Sequence, residues 1–287
     1  MTTVSKRIEK IASFVGPGES VADIGSDHGH LPIYLRENGI SSRVVATDLR
    51  KGPIGITEKN LSHSAGGRNG DPFKFDCAKA VGDNGDGELF KIDYRLGDGL
   101  TVLSEGEVET VVIAGMGGQT IVSILSENEA KACSFHKYIF QPRSHSDELR
   151  KWLKAKGWFL LADGLAEEGG RICEVIAATP DPSKMRDRAM AGKAVPCSGE
   201  SEAAMEAGVS SVMLRDRPPL LGEYIRKKML AQQKIQLAVS DTNTAEAERA
   251  RILAIKKEVA YMLLLAEIEA GQAVSEDESQ GSPSKPR

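Results

Sequence analysis

Short runs of apolar and β-branched residues alternate with helical patterns through the first 180 residues of the chain. This alternation predicts a doubly wound parallel α/β sheet, in which helices connect successive strands. The predicted strands cover residues 20–25, 43–47, 91–96, 108–114, 137–141, 159–163 and 171–178. The predicted helices cover residues 31–38, 53–64, 119–126 and 146–156.

Two polar stretches interrupt this alternation. Residues 65–88 are rich in Gly, Asp and Asn, which predicts an inserted surface loop. Residues 181–219 contain several prolines, which predict an irregular linker or insertion. We therefore expect the first domain to cover residues 1–180.

After residue 220 the chain changes to apolar residues spaced by threes and fours. This spacing places each set on one face of a helix, and a short polar turn separates the two sets. The pattern predicts an antiparallel helical hairpin over residues 220–271, with the two stripes facing each other as in a coiled coil. The remaining residues, 272–287, are polar and predict a disordered tail. The predicted stripes are Leu221, Ile225, Met229, Gln232, Ile235 and Val239, and Ile252, Ile255, Val259, Met262 and Ala266.

Charge narrows the choice of partners. The chain has 287 residues and a formal net charge of −4, which excludes a protein that is basic throughout. Between residues 215 and 257, however, ten basic and five acidic residues give a local net charge of +5. The run Arg226, Lys227 and Lys228 could bind an RNA backbone and make binding depend on salt. A solvated helix face is the alternative interpretation.

Several classes of protein are disfavoured by composition. No run approaches the ~20 apolar residues of a membrane span, and the first residues do not resemble a secretory signal. The four cysteines are widely spaced, which predicts neither a disulfide framework nor a zinc site. We expect a cytoplasmic protein without a metal, and a monomer as its default state.

The most informative motif is the segment DIGSDHGH, which begins at Asp23 after the first predicted strand. Gly25 allows a sharp turn, and the following helix offers free N–H groups. This position is the first βα crevice of a doubly wound sheet, where nucleotides bind. Asp27 stands where a dinucleotide-binding motif requires glycine, and its charge suits the amino and sulfonium groups of S-adenosylmethionine better than a pyrophosphate. An ordinary tight turn is the alternative.

Two further carboxylates follow predicted strands. Asp48 ends the second strand, where an acidic residue can accept hydrogen bonds from ribose hydroxyls. Asp98 lies between two glycines after the third strand and could accept from an adenine amino group. A turn aspartate is the alternative for Asp98.

Glycines and basic residues follow the fourth and fifth strands. The segment AGMGG, which begins at Ala114, lets the backbone approach a planar group, such as the target base of a methyltransferase. A tight turn would have the same sequence. Arg143 and His145 come after the fifth strand and could contact phosphate or base, although His145 could equally be a solvated loop residue.

Four segments in this order resemble the bacterial tRNA (adenine-22-N1)-methyltransferase family. They are DIGSDHGHLPI from Asp23, IAGMGG from Ile113, QP at Gln141 together with ELRKW from Glu148, and EGGRICE from Glu168. The similarity covers residues 5–178 and resumes in the helical hairpin, since members of that family carry a C-terminal coiled coil. It implies a class I methyltransferase fold and S-adenosylmethionine as the methyl donor.

The motifs, the charge pattern and the resemblance together give two sets of candidate site residues. The cofactor set is Asp23, Gly25, Asp27, His28, Asp48, Asp98, Gly99, Gly115 and Met116. The set for substrate RNA is Gly117, Gly118, Arg143, His145, Arg226, Lys227 and Lys228. Arg143 departs from the family pattern, which has a small polar residue after Gln141 and Pro142, and both insertions are longer than the family pattern.

The implied reaction is methyl transfer to N1 of adenine in tRNA. Because this nitrogen has a free lone pair, the reaction needs positioning and tolerance of the positive charge on the product rather than a strong base. Asp27, beside the sulfonium, is the candidate for that electrostatic role. Two alternatives remain: a methyltransferase of small molecules or proteins, and a non-catalytic RNA-binding protein on the same fold.

Overall fold

The computed structural model describes residues 5–26, 29–49, 92–199, 207–238 and 244–280. The chain divides into two compact units, Met1–Gly199 and Glu200–Arg287. The predicted helix over residues 53–64 and the predicted loop over residues 65–88 lie outside the described residues, as do Asp27 and His28.

An eight-stranded sheet forms the centre of the first unit, in the order β3-β2-β1-β4-β5-β7-β6-β8. Strands β1 to β5 run parallel to one another, as the alternating pattern predicts. The order reverses direction between β1 and β4, so this pair forms the switch point of a doubly wound sheet. The strands are β1 Glu19–Ile24, β2 Ser41–Asp48, β3 Asp93–Leu96, β4 Thr110–Gly117, β5 Lys137–Ser144, β6 Phe159–Glu168, β7 Arg171–Thr179 and β8 Val195–Pro196.

Amphipathic helices cover both faces of this sheet. The four longer helices bury apolar residues three or four positions apart, such as Ile8 and Ile11 in the first helix or Leu149 and Leu153 in the fifth. The helices of the first unit are α1 Lys6–Ala12, α2 His30–Glu37, α3 Gly118–Glu127, α4 Glu129–Ala132, α5 Ser146–Ala155 and α6 Arg188–Ala191.

The predicted doubly wound sheet is confirmed, and its far edge also contains antiparallel pairs, which the alternating pattern does not reveal. Strand β7 is antiparallel to both β5 and β6, and β8 is antiparallel to β6. Only Gly169 and Gly170 connect β6 to β7, and both have a positive φ, 56° and 75°. Two residues can form a hairpin turn but cannot hold a crossover helix, so these strands must be antiparallel.

The predicted linker over residues 181–219 is not a single irregular segment. Its first part packs in the first unit, where β8 pairs with β6 and the Cys197 N–H donates to the Trp158 carbonyl at 2.9 Å. Met185 and Cys197 are buried there. Its last part contributes the helix α7 Ser211–Asp216 to the second unit. Apolar residues between the prolines explain the difference, since proline is compatible with an edge strand.

The second unit contains the predicted antiparallel hairpin. Gln233 and Gln236 both donate side-chain N–H groups to the carboxylate of Glu258, each at 2.6 Å. Nearer the open end, the Tyr261 hydroxyl donates to the Ala207 carbonyl at 2.8 Å. The two long helices are α8 Leu221–Ala238 and α9 Ala245–Gln280.

The predicted seam of this hairpin is wrong on α9. Ile252, Ile255, Val259 and Met262 are each about half exposed. The buried residues of α9 lie on another face: Ala247, Ala254, Ala260, Tyr261, Leu264 and Ile268. Both faces carry apolar residues at helical spacing, and periodicity alone cannot tell which one packs.

The predicted start of the disordered tail also differs from the structure. Helix α9 continues through residue 272, where the tail was predicted to begin, and ends at Gln280. No proline or glycine occurs between residues 272 and 280 to end the helix. Gly281 and Pro283 follow immediately.

The packing of α9 can be tested with two adjacent leucines. Leu264 is 8% exposed and Leu263 is 65% exposed. We expect Leu264→Ala to lower the free energy of unfolding by about 2–3 kcal/mol, and Leu263→Ala by no more than about 0.5 kcal/mol. Denaturant unfolding of the full chain measures both. Equal losses, with unfolding that depends on protein concentration, would show that a second copy covers Leu263.

Candidate functional site

The predicted site residues of the first unit converge on one edge of the sheet. Asp23 lies near the end of β1, where it is in register with Ala46 of β2 and Val112 of β4. Asp48 is the last residue of β2. Because the strands are parallel, their carboxyl ends meet at the same edge, and the connections after β1 and β4 leave in opposite directions.

Asp23 is a buried carboxyl group, 5% exposed. Burial raises its pKa from 3.8 to about 6, while the Ser26 side chain and the positive charge of Arg7 oppose the rise and Asp48 adds to it. A carboxyl group held this far from water is an acceptor that a ligand's ammonium or hydroxyl group would stabilise.

Two glycines leave space at this edge. Gly25 has φ of 72°, and a Cβ atom there would overlap the Cε atom of Met116. Gly115 has φ of 76°, and no atom of the described residues lies within 4 Å of the position that its Cβ atom would take. The turn after β1 therefore touches the end of β4, with open space beside it that a larger residue would enter.

The ends of β2 and β3 are joined by their backbones. The Gly97 N–H donates to the Asp48 carbonyl at 3.0 Å. Asp98 is exposed and directly precedes the 3₁₀ helix Gly99–Val102. Gly99 has φ of 49° and packs closely against Ile124 of α3, so the fold alone accounts for glycine at this position.

Gln141, in the second half of β5, is a member of this edge that the predicted site set omits. It is 2% exposed. Its Oε1 accepts from the Gly115 N–H at 3.2 Å and from Arg7 Nη1 at 3.4 Å, while its Nε2 donates to the Pro142 carbonyl at 3.2 Å. These bonds connect the end of β5 to the end of β4.

Arg7 and Glu168 were also missed as site residues. Arg7 belongs to no recognisable motif, and Glu168 begins the EGGRICE segment but was given no role in the site. Arg7 Nε pairs with Glu168 Oε2 at 2.7 Å, and the Ser5 hydroxyl donates to the same carboxylate. Burial acts against ionisation, but the hydrogen bonds from Ser5 and Arg7 hold the pKa of Glu168 below its usual range. Helix α1 is thereby fastened to the end of β6.

Gly117 and Gly118 pack against the segment that follows β5. A Cβ atom on Gly118 would overlap the His145 carbonyl, and one on Gly117 would touch Ser144 Oγ. His145 is exposed, adopts the left-handed conformation with φ of 53°, and places Nδ1 3.1 Å from Ser144 Oγ. Close backbone approach therefore explains glycine at position 118.

A cavity of about 380 Å³ opens beside Gln141. Its lining includes three arginines, one of which is Arg143, and two glutamates. The lining residues are Arg7, Gln141, Pro142, Arg143, Ser144, Ser146, Glu168, Arg171, Ile172, Cys173 and Glu174.

The predicted basic cluster lies on α8 in the second unit. Arg226 is exposed. Lys227 pairs with Glu223 at 2.8 Å, and the Lys228 ammonium lies 4.7 Å from the centre of the Tyr224 ring. Lys227 and Lys228 therefore also have contacts within α8.

The described residues contain no group of three or more His, Cys, Asp or Glu side chains placed to hold a metal ion. Cys133, Cys173 and Cys197 are free thiols, and Cys77 lies outside the described residues. No helix in the described ranges has the length and apolar character needed to cross a bilayer.

Asp23→Asn tests the burial of this carboxyl group. Because its folded-state pKa lies above the unfolded value of 3.8, its contribution to stability is fully present below pH 3.8 and is lost as the pH rises through about 6. At about pH 7.5 we expect the neutral asparagine to raise the free energy of unfolding by up to about 3 kcal/mol. Denaturant unfolding at several pH values measures this, and a difference independent of pH would contradict it.

Comparison with known proteins agrees with this geometry. A family model described as tRNA (adenine(22)-N(1))-methyltransferase matches residues 76–262, and one described as methyltransferase domain matches residues 4–71. The tRNA (adenine(22)-N(1))-methyltransferase of Bacillus subtilis is 32% identical over 175 residues, 61% of this chain and 64% of that protein.

Solved structures show the same fold. Streptococcus pneumoniae Sp1610 in complex with S-adenosyl-L-methionine aligns with a TM-score of 0.66 and 26% identity, over 92% of this chain and all of that chain. The Bacillus subtilis m1A22 tRNA methyltransferase TrmK aligns with a TM-score of 0.68 and 24% identity over the same shares. Since the family model matches more than half of the chain, the protein belongs to the tRNA (adenine(22)-N(1))-methyltransferase family.

Proposed function

We propose that this protein transfers a methyl group from S-adenosylmethionine to N1 of an adenine in tRNA, at position 22. One observation supports this most directly: the carboxyl edge of β1, β2 and β4 brings Asp23, Gly25 and Asp48 together beside the open space at Gly115. A methyl donor held over β1 and β2 would meet its acceptor there.

The residues at this edge fit S-adenosylmethionine. Carboxylates accept hydrogen bonds from ribose hydroxyls and attract the ammonium and sulfonium groups, and Asp23 and Asp48 end neighbouring strands. The positive φ values of Gly25 and Gly115 keep side chains out of the space that the cofactor would fill. The bound cofactor supplies an electrophilic methyl group, and the protein has to hold it in line with the acceptor nitrogen.

The acceptor side requires a pocket. N1 lies on the Watson–Crick edge of adenine, so the base must leave a paired or stacked helix before transfer. The 380 Å³ cavity beside Gln141 lies within the usual range for a pocket that holds a small ligand. Its arginines, including Arg143, are suited to the phosphates of an extruded nucleotide.

Two finer assignments belong to the same proposal. Asp27, outside the described residues, stabilises the positive charge that develops as adenine is methylated. The hairpin of α8 and α9 acts as a coiled-coil arm that contacts tRNA through Arg226, Lys227 and Lys228. We place this activity in the cytoplasm.

The direct test is product analysis. The full chain is incubated with labelled S-adenosylmethionine and bacterial tRNA, and the modified nucleoside is identified by mass spectrometry. We expect 1-methyladenosine at position 22 and no product on a transcript with guanine at that position. Labelled protein or small molecules without labelled tRNA would favour the alternative methyltransferase class, and no transfer to any acceptor would favour a non-catalytic RNA-binding protein.

Two aspartates should separate binding from catalysis. We expect Asp48→Ala to weaken cofactor binding by about 1–3 kcal/mol, because buried hydroxyl donors lose their acceptor. Asp27→Asn should instead lower the rate of methyl transfer at saturating cofactor by about 10²–10³. Calorimetric titration and single-turnover kinetics measure the two effects. Unchanged affinity for Asp48→Ala, or a rate within about threefold for Asp27→Asn, would remove that residue from its role.

The basic cluster should contribute to RNA binding through charge. Replacing Arg226, Lys227 and Lys228 together with Gln should weaken tRNA binding and lower the slope of log affinity against log salt by up to about 3, while cofactor affinity stays the same. The control removes equal charge by replacing Lys151 and Lys154 of α5, together with Lys156 directly after that helix, with Gln. Equal tRNA affinity for the parent and the first variant, or equal losses for the two variants, would contradict a specific contact.

A further inference from the structure

Arg7 is not part of any sequence motif, yet it interacts with three strands of the site edge, β6, β5 and β1. It lies in the first turn of α1, and its side chain is 25% exposed. Its Nε contacts Glu168 at 2.7 Å and its Nη1 contacts Gln141 Oε1 at 3.4 Å. Its charge also acts on Asp23 of β1.

The contact with Gln141 selects one orientation of the buried amide. Gln141 Oε1 lies between two donors, Arg7 Nη1 and the Gly115 N–H. With the amide reversed, its NH₂ group would face both donors, and neither would have an acceptor. Arg7 therefore favours the orientation in which Gln141 holds the backbone of Gly115, the residue beside the open space at the end of β4.

The positive charge of Arg7 offsets the effect of the Asp48 carboxylate on Asp23. In the described part of the chain, the charged groups that act on Asp23 are Arg7 of α1 and Asp48 of β2. Asp48 opposes ionisation of Asp23 and Arg7 favours it. If both aspartates contact the cofactor, a cation near Asp23 lets the two carboxylates be ionised together.

We propose that Arg7 is a positioning residue for methyl transfer, which holds Gln141 and Gly115 in place and supports the negative charge of Asp23. This inference rests on the proposed function. The competing explanation is purely structural: Arg7 only fastens α1 to the end of β6 through Glu168. The two explanations predict different effects of replacing Glu168. If Arg7 acts only through the ion pair, replacing Glu168 has the same effect as replacing Arg7.

Three variants separate them. Arg7→Gln removes both the positive charge and the planar guanidinium group. Arg7→Lys keeps the charge but replaces the guanidinium with an ammonium group. Glu168→Gln removes the ion pair but keeps the arginine. The measurements are cofactor affinity by calorimetry from about pH 5 to pH 8, the single-turnover rate at saturating cofactor and tRNA, and the thermal midpoint.

We expect Arg7→Gln to move the rise in cofactor affinity to higher pH by about half a unit, because Asp23 loses a cation that favours its ionised form. The single-turnover rate of this variant at saturating cofactor and tRNA should fall about tenfold, because the end of β4 is held less firmly in place. Arg7→Lys should keep the pH profile but not the full rate. Glu168→Gln should lower the thermal midpoint without moving the pH profile upward.

The proposal is overturned if Arg7→Gln and Glu168→Gln have the same pH profile and the same rate, since Arg7 would then act only through the ion pair. Failure of the proposed function gives a different result. In that case neither the parent nor any variant methylates tRNA. The pH dependence of cofactor affinity can still be compared between Arg7→Gln and the parent. If Arg7→Gln fails to fold, Arg7→Lys carries the test through its expected loss of rate at an unchanged pH profile.

Discussion

The reversal of strand order between β1 and β4 is the constraint on which the site depends. Because the connections after these two strands leave in opposite directions, a crevice must open at their carboxyl ends. The chain closes the base of this crevice with a turn at Gly25, whose positive φ favours glycine, packed against the side chain of Met116. Asp23 and Asp48 reach this crevice because they stand at the ends of parallel strands in register, so topology places the carboxylates before any side-chain contact forms.

Most buried charged side chains described in the first unit have an ion-pair partner, but Asp23 is an exception. Lys137 lies 2.6 Å from Glu19 and also donates to the Phe14 carbonyl, and Arg150 lies 2.6 Å from Asp163. Such pairs satisfy each other and hold elements together. Asp23 has no direct ion pair among the described contacts, and its pKa is raised to about 6. An ionisable group left in this condition at a crevice is typical of a binding site, where the ligand supplies the missing partner.

Sequence reasoning succeeded where local pattern and topology agree, as for the parallel strands and for the carboxylates at their ends. It failed where one sequence pattern is compatible with two different structures. A two-residue Gly169–Gly170 turn reverses β7, and α9 has apolar residues on two faces, of which the one with Ala254 and Leu264 packs. Arg7 and Gln141 were missed for a third reason: their partners are more than 20 positions away. No spacing along the chain signals contacts made only by the folded sheet.

Methylation of a ring nitrogen with a free lone pair needs no general base, and the site edge is consistent with such a reaction. Its described groups are carboxylates, a buried amide and backbone at glycines, all of which hold or orient rather than exchange protons. Asp23 titrates near pH 6, but its change of charge would alter cofactor binding rather than proton transfer. Under the proposed function, acid should therefore lower the affinity for the cofactor, while the rate of methyl transfer at saturating cofactor stays nearly constant with pH.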